Sequence, residues 1–219
     1  ELPGALELGD ELAGKGIKVS MGHSDAGFED IVNAMEHGYS QITHFYSAMS
    51  TITRKRGRRV LGLIECGYLF DRLKVEIIAD GIHLPPELLK LILKCKNHDD
   101  ICLVTDSMRG AGMPDGPSLL GSKKNGVPVI IEDGIANMPD FSSFAGSVAT
   151  TDRLVRVMVQ KAGLPVWEAV KMASLNPASF LGIQETYGSI QPGKSADLLI
   201  FDDDIRISSV YVSGRSEER

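Results

Sequence analysis

Four apolar stretches of the sequence each end on a side chain that can bind a metal ion or carry a proton. The stretches KVSMGH and QITH end on His23 and His44, and the stretches KVEIIADGIH and ICLVTD end on His83 and Asp106. A neutral imidazole offers a lone pair to a divalent ion, and a carboxylate can accept a proton from water. Two histidines and a carboxylate brought together would therefore make a metal-dependent hydrolytic site.

Each of these side chains also has an ordinary structural explanation. A histidine after an apolar run is more often a hydrogen-bonded core or loop residue, and Asp106 could simply cap a turn. The remaining histidines, His37 and His98, fall at a predicted helix C-terminus and in a polar turn. On spacing alone, a shared site and a set of independent structural residues both stay open.

The elements that must hold these residues alternate between short apolar strands and amphipathic helices. Strands of nearly continuous Ile, Val and Leu between such helices indicate a parallel sheet covered by helices, and thus an α/β fold. Active sites of parallel sheets form at the carboxyl ends of the strands, where all four side chains would lie. The sequence predicts strands at 17–21, 41–43, 73–79 and 101–105, and helices at 5–15, 24–38, 59–70 and 86–96.

The second half of the chain is predicted to carry an inserted hairpin and a terminal β-unit. Residues from about 122 to 140 favour a β-hairpin with a tight turn at Asp133 and Gly134. Apolar positions that alternate between glycine and proline turns favour antiparallel strands from about residue 185. We therefore divide the chain into an α/β portion, 1–184, and a small β-domain segment, 185–219. Further helices are predicted at 151–162, 165–174 and 177–181.

The composition argues against several classes of protein. The chain has 219 residues, of which 43% are hydrophobic and 24% charged, and its formal net charge is −6. Such an acidic balance argues against a general surface for nucleic acids or anionic membranes, which needs a basic face, although local basic clusters remain possible. Without an apolar stretch of ~20 residues or a secretory signal pattern, we expect a cytoplasmic protein. The three cysteines have neither disulfide nor zinc-site spacing, so we expect reduced thiols.

Six motifs follow one another along nearly the whole chain: GHSDA, ITHFYSAM, EIIADGIH, LVTDS, FAGSVAT and GSIQPGKSADLLIFD. Their order resembles the N-acetylglucosamine-6-phosphate deacetylases of the amidohydrolase superfamily. The resemblance implies the C-terminal portion of a (β/α)8 barrel of the metal-dependent hydrolase kind, with the remnant of a small β-sandwich domain. Members of that family remove acetate from the amide nitrogen of N-acetylglucosamine 6-phosphate, an amino-sugar phosphate.

The resemblance also implies a role for each of the four strand-end residues. His23 of GHS and His44 of THFY match metal ligands, and Asp106 of VTDS matches the catalytic aspartate that moves the proton. His83 of ADGIH matches a histidine that contacts the substrate and can steady its carbonyl oxygen. Histidine and carboxylate ligands suit zinc, iron, cobalt and manganese alike, so the divalent ion is not specified. Dimerisation of the full-length protein is implied as well.

The expected phosphate-binding segment departs from the family pattern. Ser47 replaces an asparagine of the phrase THLYNAM, although the backbone N–H of Ala48 could still donate to a phosphate. Lys55 belongs to a basic run in place of the family's arginine loop, and guanidinium groups match phosphate oxygens in pairs. A solvated loop is the alternative explanation. The basic residues of this run are Arg54, Lys55, Arg56, Arg58 and Arg59.

One expected ligand is missing from the sequence. The family carries a glutamate ligand in a HLEGP phrase that does not occur here, and Glu1 does not match it. We therefore expect the third ligand and the first barrel strands upstream, and four or five barrel strands here with an open edge beside 17–21. The rival hypotheses are another N-acyl deacetylase of the superfamily and an inactive, metal-free fragment.

Overall fold

The fold is described by a computed structural model for residues 1–217. Helices and strands alternate through the first half of the chain, and antiparallel strands dominate two segments of the second half. In chain order the elements are α1 (Ala5–Gly14), β1 (Val19–Met21), α2 (Phe28–Glu36), β2 (Tyr39–Ile42), β3 (Thr53–Lys55), β4 (Arg58–Val60), α3 (Leu63–Leu69), β5 (Lys74–Ile77), α4 (Pro86–Cys95), β6 (Ile101–Leu103), β7 (Gly116–Leu120), β8 (Val127–Glu132), β9 (Ile135–Asn137), β10 (Phe144–Ser147), α5 (Thr151–Val157), α6 (Val166–Ala173), α7 (Leu175–Leu181), β11 (Leu198–Phe201), β12 (Ile207–Val212) and β13 (Arg215–Glu217).

A four-stranded parallel sheet of order β1-β2-β5-β6 forms the centre of the first half. The buried residues of its strands are apolar because helices cover the sheet, and the main hydrophobic cluster lies between these layers. The predicted α/β class and the four predicted parallel strands are confirmed. Within residues 1–217, β1 has a sheet partner on one side only, which is the open edge that the sequence predicted. Fully buried members of this cluster include Ile31, Ile42, Leu63, Leu73, Ile77, Leu89, Ile92, Ile101 and Leu154.

The helix after β1 begins later than the sequence suggested. We expected a helix over 24–38, but α2 starts at Phe28 with Gly27 as its N-cap. The carboxylate of Asp30 accepts a hydrogen bond from the N–H of Gly27 at 2.9 Å, which satisfies one donor at the helix start. Ser24 is thereby left in the loop that follows β1, close to the predicted site.

The basic run forms a hairpin, whereas we had expected residue 59 to begin a helix. Strands β3 and β4 pair antiparallel and place Lys55 opposite Arg58. The two turn residues, Arg56 and Gly57, have φ values of 49° and 80°, as a tight hairpin turn requires. The expected helix is confined to α3, which starts at Leu63. The tight turn at Arg56 and Gly57, where both residues have positive φ, gives a local physical reason for this difference.

The insertion after β6 is larger than the predicted hairpin. The turn at Asp133 and Gly134 does join β8 and β9, but these strands lie within a four-stranded antiparallel sheet of order β10-β9-β8-β7. This insertion sheet has its own small apolar cluster, which includes Val129, Ile131 and Ala145. The sequence predicted the central hairpin from the tight turn at Asp133 and Gly134. The outer strands, β7 and β10, have no such turn sequence to indicate them.

The last part of the chain contains the predicted helices and terminal strands. Helix α5 continues as a wider π-helical turn over Met158–Ala162, and α6 and α7 follow it. Strands β11, β12 and β13 form a separate antiparallel sheet, as the alternating pattern predicted, beginning at Leu198. The division at residue 184 stays a prediction.

No helix within residues 1–217 is both long and apolar enough to cross a membrane.

All three cysteines are free thiols. Burial raises the pKa of Cys66 to about 11, with a smaller contribution from the charge of Glu65. Burial likewise raises the pKa of Cys102 to about 12. Because a thiolate is the reactive form, both groups are inert core thiols at neutral pH.

Candidate metal and catalytic site

His23 and His44 face each other at the carboxyl ends of β1 and β2. Their ring centroids lie 4.8 Å apart. The strand pairing continues up to this point, since the N–H of Thr43 donates to Met21 O at 2.8 Å. Gly22 permits the approach, because a Cβ there would lie only 3.2 Å from the Cβ of Thr43. The structure therefore brings the two predicted metal ligands together.

Both histidines have an unusual backbone conformation. The φ values of His23 and His44 are 45° and 33°, and that of Asp106 is 48°. Residues other than glycine adopt positive φ at a cost that the surrounding structure must offset, and such residues cluster at functional sites. All three predicted metal and catalytic residues thus share a conformation that sequence alone did not reveal.

The imidazole of His44 is suited to a metal ion. His44 is 8% exposed, and its buried Nδ1 has no hydrogen-bond partner within residues 1–217. A buried polar atom without a partner is costly, and coordination of a cation would remove that cost. In the same part of the chain, no group of three or more His, Cys, Asp or Glu side chains could hold a metal ion. The two imidazoles therefore fit a divalent ion, and a complete ligand set needs a further donor.

Glu76 is a residue of this site that the sequence analysis missed. It lies on β5, where its carboxylate contacts the side-chain amide of Gln41 and accepts the backbone N–H of His44. Burial raises the pKa of the Glu76 carboxyl, against the effect of these hydrogen bonds, and the nearby charge of Asp106 adds to the rise. A lone acidic residue inside the apolar run KVEIIA was the available signal.

Asp106 lies just beyond β6 with an exposed side chain. Its carbonyl oxygen accepts a hydrogen bond from the N–H of Ser147 at 3.2 Å, and Met108 donates to Ser147 O at 2.9 Å. These bonds fix the segment after β6 to the end of β10. The Asp106 carboxylate is within electrostatic range of Glu76, which itself contacts His44. Asp106 therefore belongs to the same group of strand ends as His44.

His83 follows β5 and is held by a buried aspartate. Its Nδ1 lies 2.7 Å from an oxygen of Asp80, and the ring of Phe144 lies against it with centroids 5.0 Å apart. Burial alone would raise the pKa of the Asp80 carboxyl, but hydrogen bonds from His83 and Ile82 outweigh it and hold the pKa below its usual value. The insertion sheet thus contacts the predicted substrate histidine through β10.

The loop after β2 is tied to the loop after β1. The N–H of Ser24 donates to Ala48 O at 3.0 Å, and Ser50 N–H donates to Ser24 O at 2.9 Å. The Glu1 carboxylate also accepts the hydroxyl of Ser24 at 2.8 Å. Ser47 uses its N–H to bond His44 O, whereas the N–H of Ala48 has no partner within residues 1–217. Ala48 therefore keeps the free donor that the sequence analysis assigned to it.

The hairpin of β3 and β4 carries the five basic side chains near this loop, and all five are exposed. Lys55 pairs with Arg58 and Arg54 pairs with Arg59, so each face of the hairpin presents two cations. Across residues 1–217, none of the five forms a salt bridge. The hairpin is thus a concentration of uncompensated positive charge on an acidic chain.

A cavity of about 870 Å³ lies away from these residues, between α5, α6, α7 and the terminal sheet. Its lining is mainly apolar and includes Trp167, Leu181 and Phe201, with none of the four strand-end site residues. Hydrolytic chemistry needs polar and ionisable groups, so we place the site at the strand ends and not in this cavity.

The sequence model of the amidohydrolase family matches residues 1–216. An N-acetylgalactosamine-6-phosphate deacetylase of Escherichia coli O157:H7 is 32% identical over 215 residues, which cover 98% of this chain and 54% of that relative. An N-acetylglucosamine-6-phosphate deacetylase of Vibrio furnissii is 35% identical, and the match covers 98% of this chain and 51% of that relative. The chain spans about half the length of the curated relatives that it matches.

Solved structures of deacetylases also match nearly the whole of this chain and about half of their own length. A crystal structure of N-acetylglucosamine-6-phosphate deacetylase from Pasteurella multocida matches with a TM-score of 0.90 and 30% identity, covering 100% of this chain and 55% of that one. A variant of the Mycobacterium smegmatis deacetylase, in complex with N-acetyl-D-glucosamine-6-phosphate, matches with a TM-score of 0.88 and 30% identity, covering 99% of this chain and 55% of that one.

Proposed function

Because the chain belongs to the amidohydrolase family, we propose that the full-length protein hydrolyses the acetamide of N-acetylglucosamine 6-phosphate to glucosamine 6-phosphate and acetate. The observation that carries this proposal is the 4.8 Å approach of the His23 and His44 rings at neighbouring strand ends. The similarity to the Vibrio furnissii and Pasteurella multocida deacetylases supports the choice of substrate.

His23 and His44 would hold a divalent metal ion in this site. When bound, such an ion supplies a Lewis acid that polarises the amide carbonyl and lowers the pKa of a water molecule. The buried and unpartnered Nδ1 of His44 supports this assignment. Zinc, iron, cobalt and manganese all accept imidazole and carboxylate ligands, so the donor set does not select among them.

Asp106 is assigned the proton transfers of the reaction. Its exposed carboxylate accepts a proton from the water that attacks the acetyl carbon. The same carboxyl then gives that proton to the amide nitrogen as the carbon–nitrogen bond breaks, which releases the amino sugar and acetate. His83 contacts the substrate and donates a hydrogen bond to the carbonyl oxygen as that oxygen gains negative charge.

The basic hairpin is assigned to the phosphate of the substrate, together with Ser47 and the free N–H of Ala48. Lys55 and Arg58 lie opposite each other on one face, where their like charges repel. A phosphate between them would relieve that repulsion and accept several charge-assisted hydrogen bonds. The link from Ser50 to Ser24 connects the base of the hairpin to the loop beside His23.

Replacing Lys55 and Arg58 together with alanine is expected to raise KM for the phosphorylated sugar by about 10- to 100-fold, because charge-assisted hydrogen bonds are lost. Turnover of unphosphorylated N-acetylglucosamine should stay within about twofold of the parent protein. The matched control is the Arg54→Ala, Arg59→Ala double variant, which removes the same charge from the opposite face. Equal KM values for both variants and the parent would show that the hairpin is only a solvated loop.

We also propose that the four-stranded parallel sheet is one arc of a (β/α)8 barrel, and that β11, β12 and β13 belong to a small β-sandwich domain. The partner-free edge of β1 within residues 1–217 and the match to 55% of the Pasteurella multocida chain support the arc. The separate antiparallel sheet supports the second domain. A cytoplasmic location and homodimerisation stay predictions from the sequence.

A second substrate has specific support. One relative acts, by its name, on N-acetylgalactosamine 6-phosphate, and Ser47 departs from the asparagine of the family phrase. The deciding experiment compares kcat/KM of the full-length protein for both phosphorylated sugars and for N-acetylglucosamine without phosphate. A preference for N-acetylglucosamine 6-phosphate supports the proposed function. Equal rates with the unphosphorylated sugar would instead favour a different N-acyl deacetylase, and no turnover of any of the three would rule out the activity.

A further inference from the structure

Asp80 is a buried carboxylate that the proposed reaction does not yet use. It lies three residues before His83, in the loop after β5, and its side chain is 0% exposed. One of its oxygens, Oδ1, accepts the backbone N–H of Ile82 at 2.9 Å and that of His83 at 2.8 Å. The other oxygen, Oδ2, lies 2.7 Å from Nδ1 of the His83 ring. The two oxygens therefore have different roles: Oδ1 holds the backbone of the loop, and Oδ2 contacts the imidazole of His83.

The contact to Oδ2 decides which nitrogen of His83 can meet a substrate. An ionised carboxylate only accepts hydrogen bonds, so Nδ1 must carry a hydrogen that it donates to Asp80. The lowered pKa of Asp80 agrees with an ionised carboxyl. Nε2 is left as the nitrogen for a ligand. When Nε2 donates to the carbonyl oxygen of a substrate, the ring holds both hydrogens and the Asp80 carboxylate balances its positive charge.

The surroundings of the pair restrict any other arrangement. Phe144 lies against the His83 ring at an interplanar angle of 56°, and the His83 side chain is 8% exposed. From α5, the guanidinium of Arg153 donates to Asp80 O at 3.1 Å and to Gly134 O at 2.7 Å. The loop of Asp80 is thus fixed to both α5 and the insertion sheet. A flip of the ring would put carbon Cδ2 in the position of Nδ1 and so break the contact to Oδ2.

We propose that Asp80 is a positioning residue that fixes the hydrogen of His83 on Nδ1 and so aims Nε2 at the substrate. The inference rests on the proposed function for its kinetic consequence, but its statement about the ring nitrogens is independent of any substrate. Carboxylates that orient a metal-binding histidine in this way contribute about 10- to 100-fold to metal affinity or activity, and we expect an effect of similar size for a histidine that contacts the substrate.

Asp80→Asn separates the two roles of the carboxylate. Asparagine keeps a carbonyl oxygen for the N–H groups of Ile82 and His83, but it places an N–H₂ donor where Oδ2 was. Nδ1 of His83 must then become the acceptor, which moves the ring hydrogen to Nε2. We expect ¹⁵N NMR of the full-length protein to show His83 protonated on Nδ1 in the parent and only on Nε2 in the variant. We also expect kcat to fall by about 10- to 100-fold, with KM within about threefold of the parent.

A double-mutant cycle with His83→Ala distinguishes positioning from a general effect on the fold. If Asp80 acts through His83, Asp80→Asn should not lower kcat further once His83 is alanine. Additive losses, or an unchanged ring tautomer in the variant, would overturn the proposal. The parent spectrum decides the matter even where the variant does not fold, because a parent His83 without hydrogen on Nδ1 contradicts the inference directly. Absence of turnover with intact NMR behaviour would count against the proposed function and not against the positioning of His83.

Discussion

Asp106→Asn in the full-length protein is expected to lower turnover of N-acetylglucosamine 6-phosphate by about 10²- to 10⁴-fold, the usual contribution of a general acid–base group. The amide of asparagine has the size of the carboxyl but cannot accept the proton of the attacking water. The Asp106 side chain is exposed, so we expect its replacement to leave the fold unchanged. The measurement is acetate release under saturating substrate, with metal content determined on the same sample.

Measuring the metal content distinguishes a role of Asp106 in proton transfer from a role as a metal ligand. Asp106→Asn should retain the metal of the parent protein, because His23 and His44 are the proposed imidazole ligands. Asp115→Asn is the matched control, since Asp115 is an exposed carboxylate of the insertion and is not one of the four strand-end site residues. Parent-like turnover in the Asp106 variant would remove this residue from the mechanism. Loss of metal together with turnover would instead assign it to the ligand set.

His44→Asn is expected to remove most of the bound metal and to lower the activity by more than about 100-fold. Residues that merely support a metal ligand cost 10- to 100-fold when replaced, so loss of a ligand itself should cost more. Asparagine occupies part of the space but offers no imidazole nitrogen. Metal analysis after dialysis against a weak chelator, followed by an activity assay with and without added metal, measures both effects.

His37→Gln is the control for the loss of a histidine elsewhere. His37 caps the end of α2, and its Nδ1 lies 2.8 Å from a carboxylate oxygen of Asp10 on the surface. Its replacement should leave the metal content unchanged. The free energy of unfolding should fall by less than about 1 kcal/mol, because a surface ion pair contributes no more than that. Full metal occupancy in His44→Asn would contradict the assignment of His44, whatever the activity of that variant.

The sequence contained enough information for the parallel sheet and for the proximity of His23 and His44 in the candidate site. Apolar runs such as KVEII end abruptly at polar residues. In the fold, the carboxyl end of each strand lies close to that position in the sequence. Because parallel strands place these ends at one edge, the proximity of His23 and His44 could be anticipated from topology alone. The observed order β1-β2-β5-β6 agrees with that reasoning.

The parts that sequence could not supply depend on contacts between distant segments. Glu76 reads as an irregularity in an apolar strand, and only the fold shows it under His44 and beside Gln41. The antiparallel hairpin around Arg56 was missed because a run of basic residues has no periodicity that favours strand over helix. The outer strands of the insertion sheet are recognisable only through their pairing with the central hairpin.

The backbone of His23, His44 and Asp106 has a consequence for how this fold can evolve. Asparagine adopts positive φ more readily than most residues, so it suits the chain conformation at all three positions. A histidine or aspartate codon becomes an asparagine codon by a single nucleotide change. Folded but inactive descendants are therefore close neighbours of an active gene. In genomic surveys, the identity of these three side chains should weigh more than overall similarity when a catalytic role is assigned.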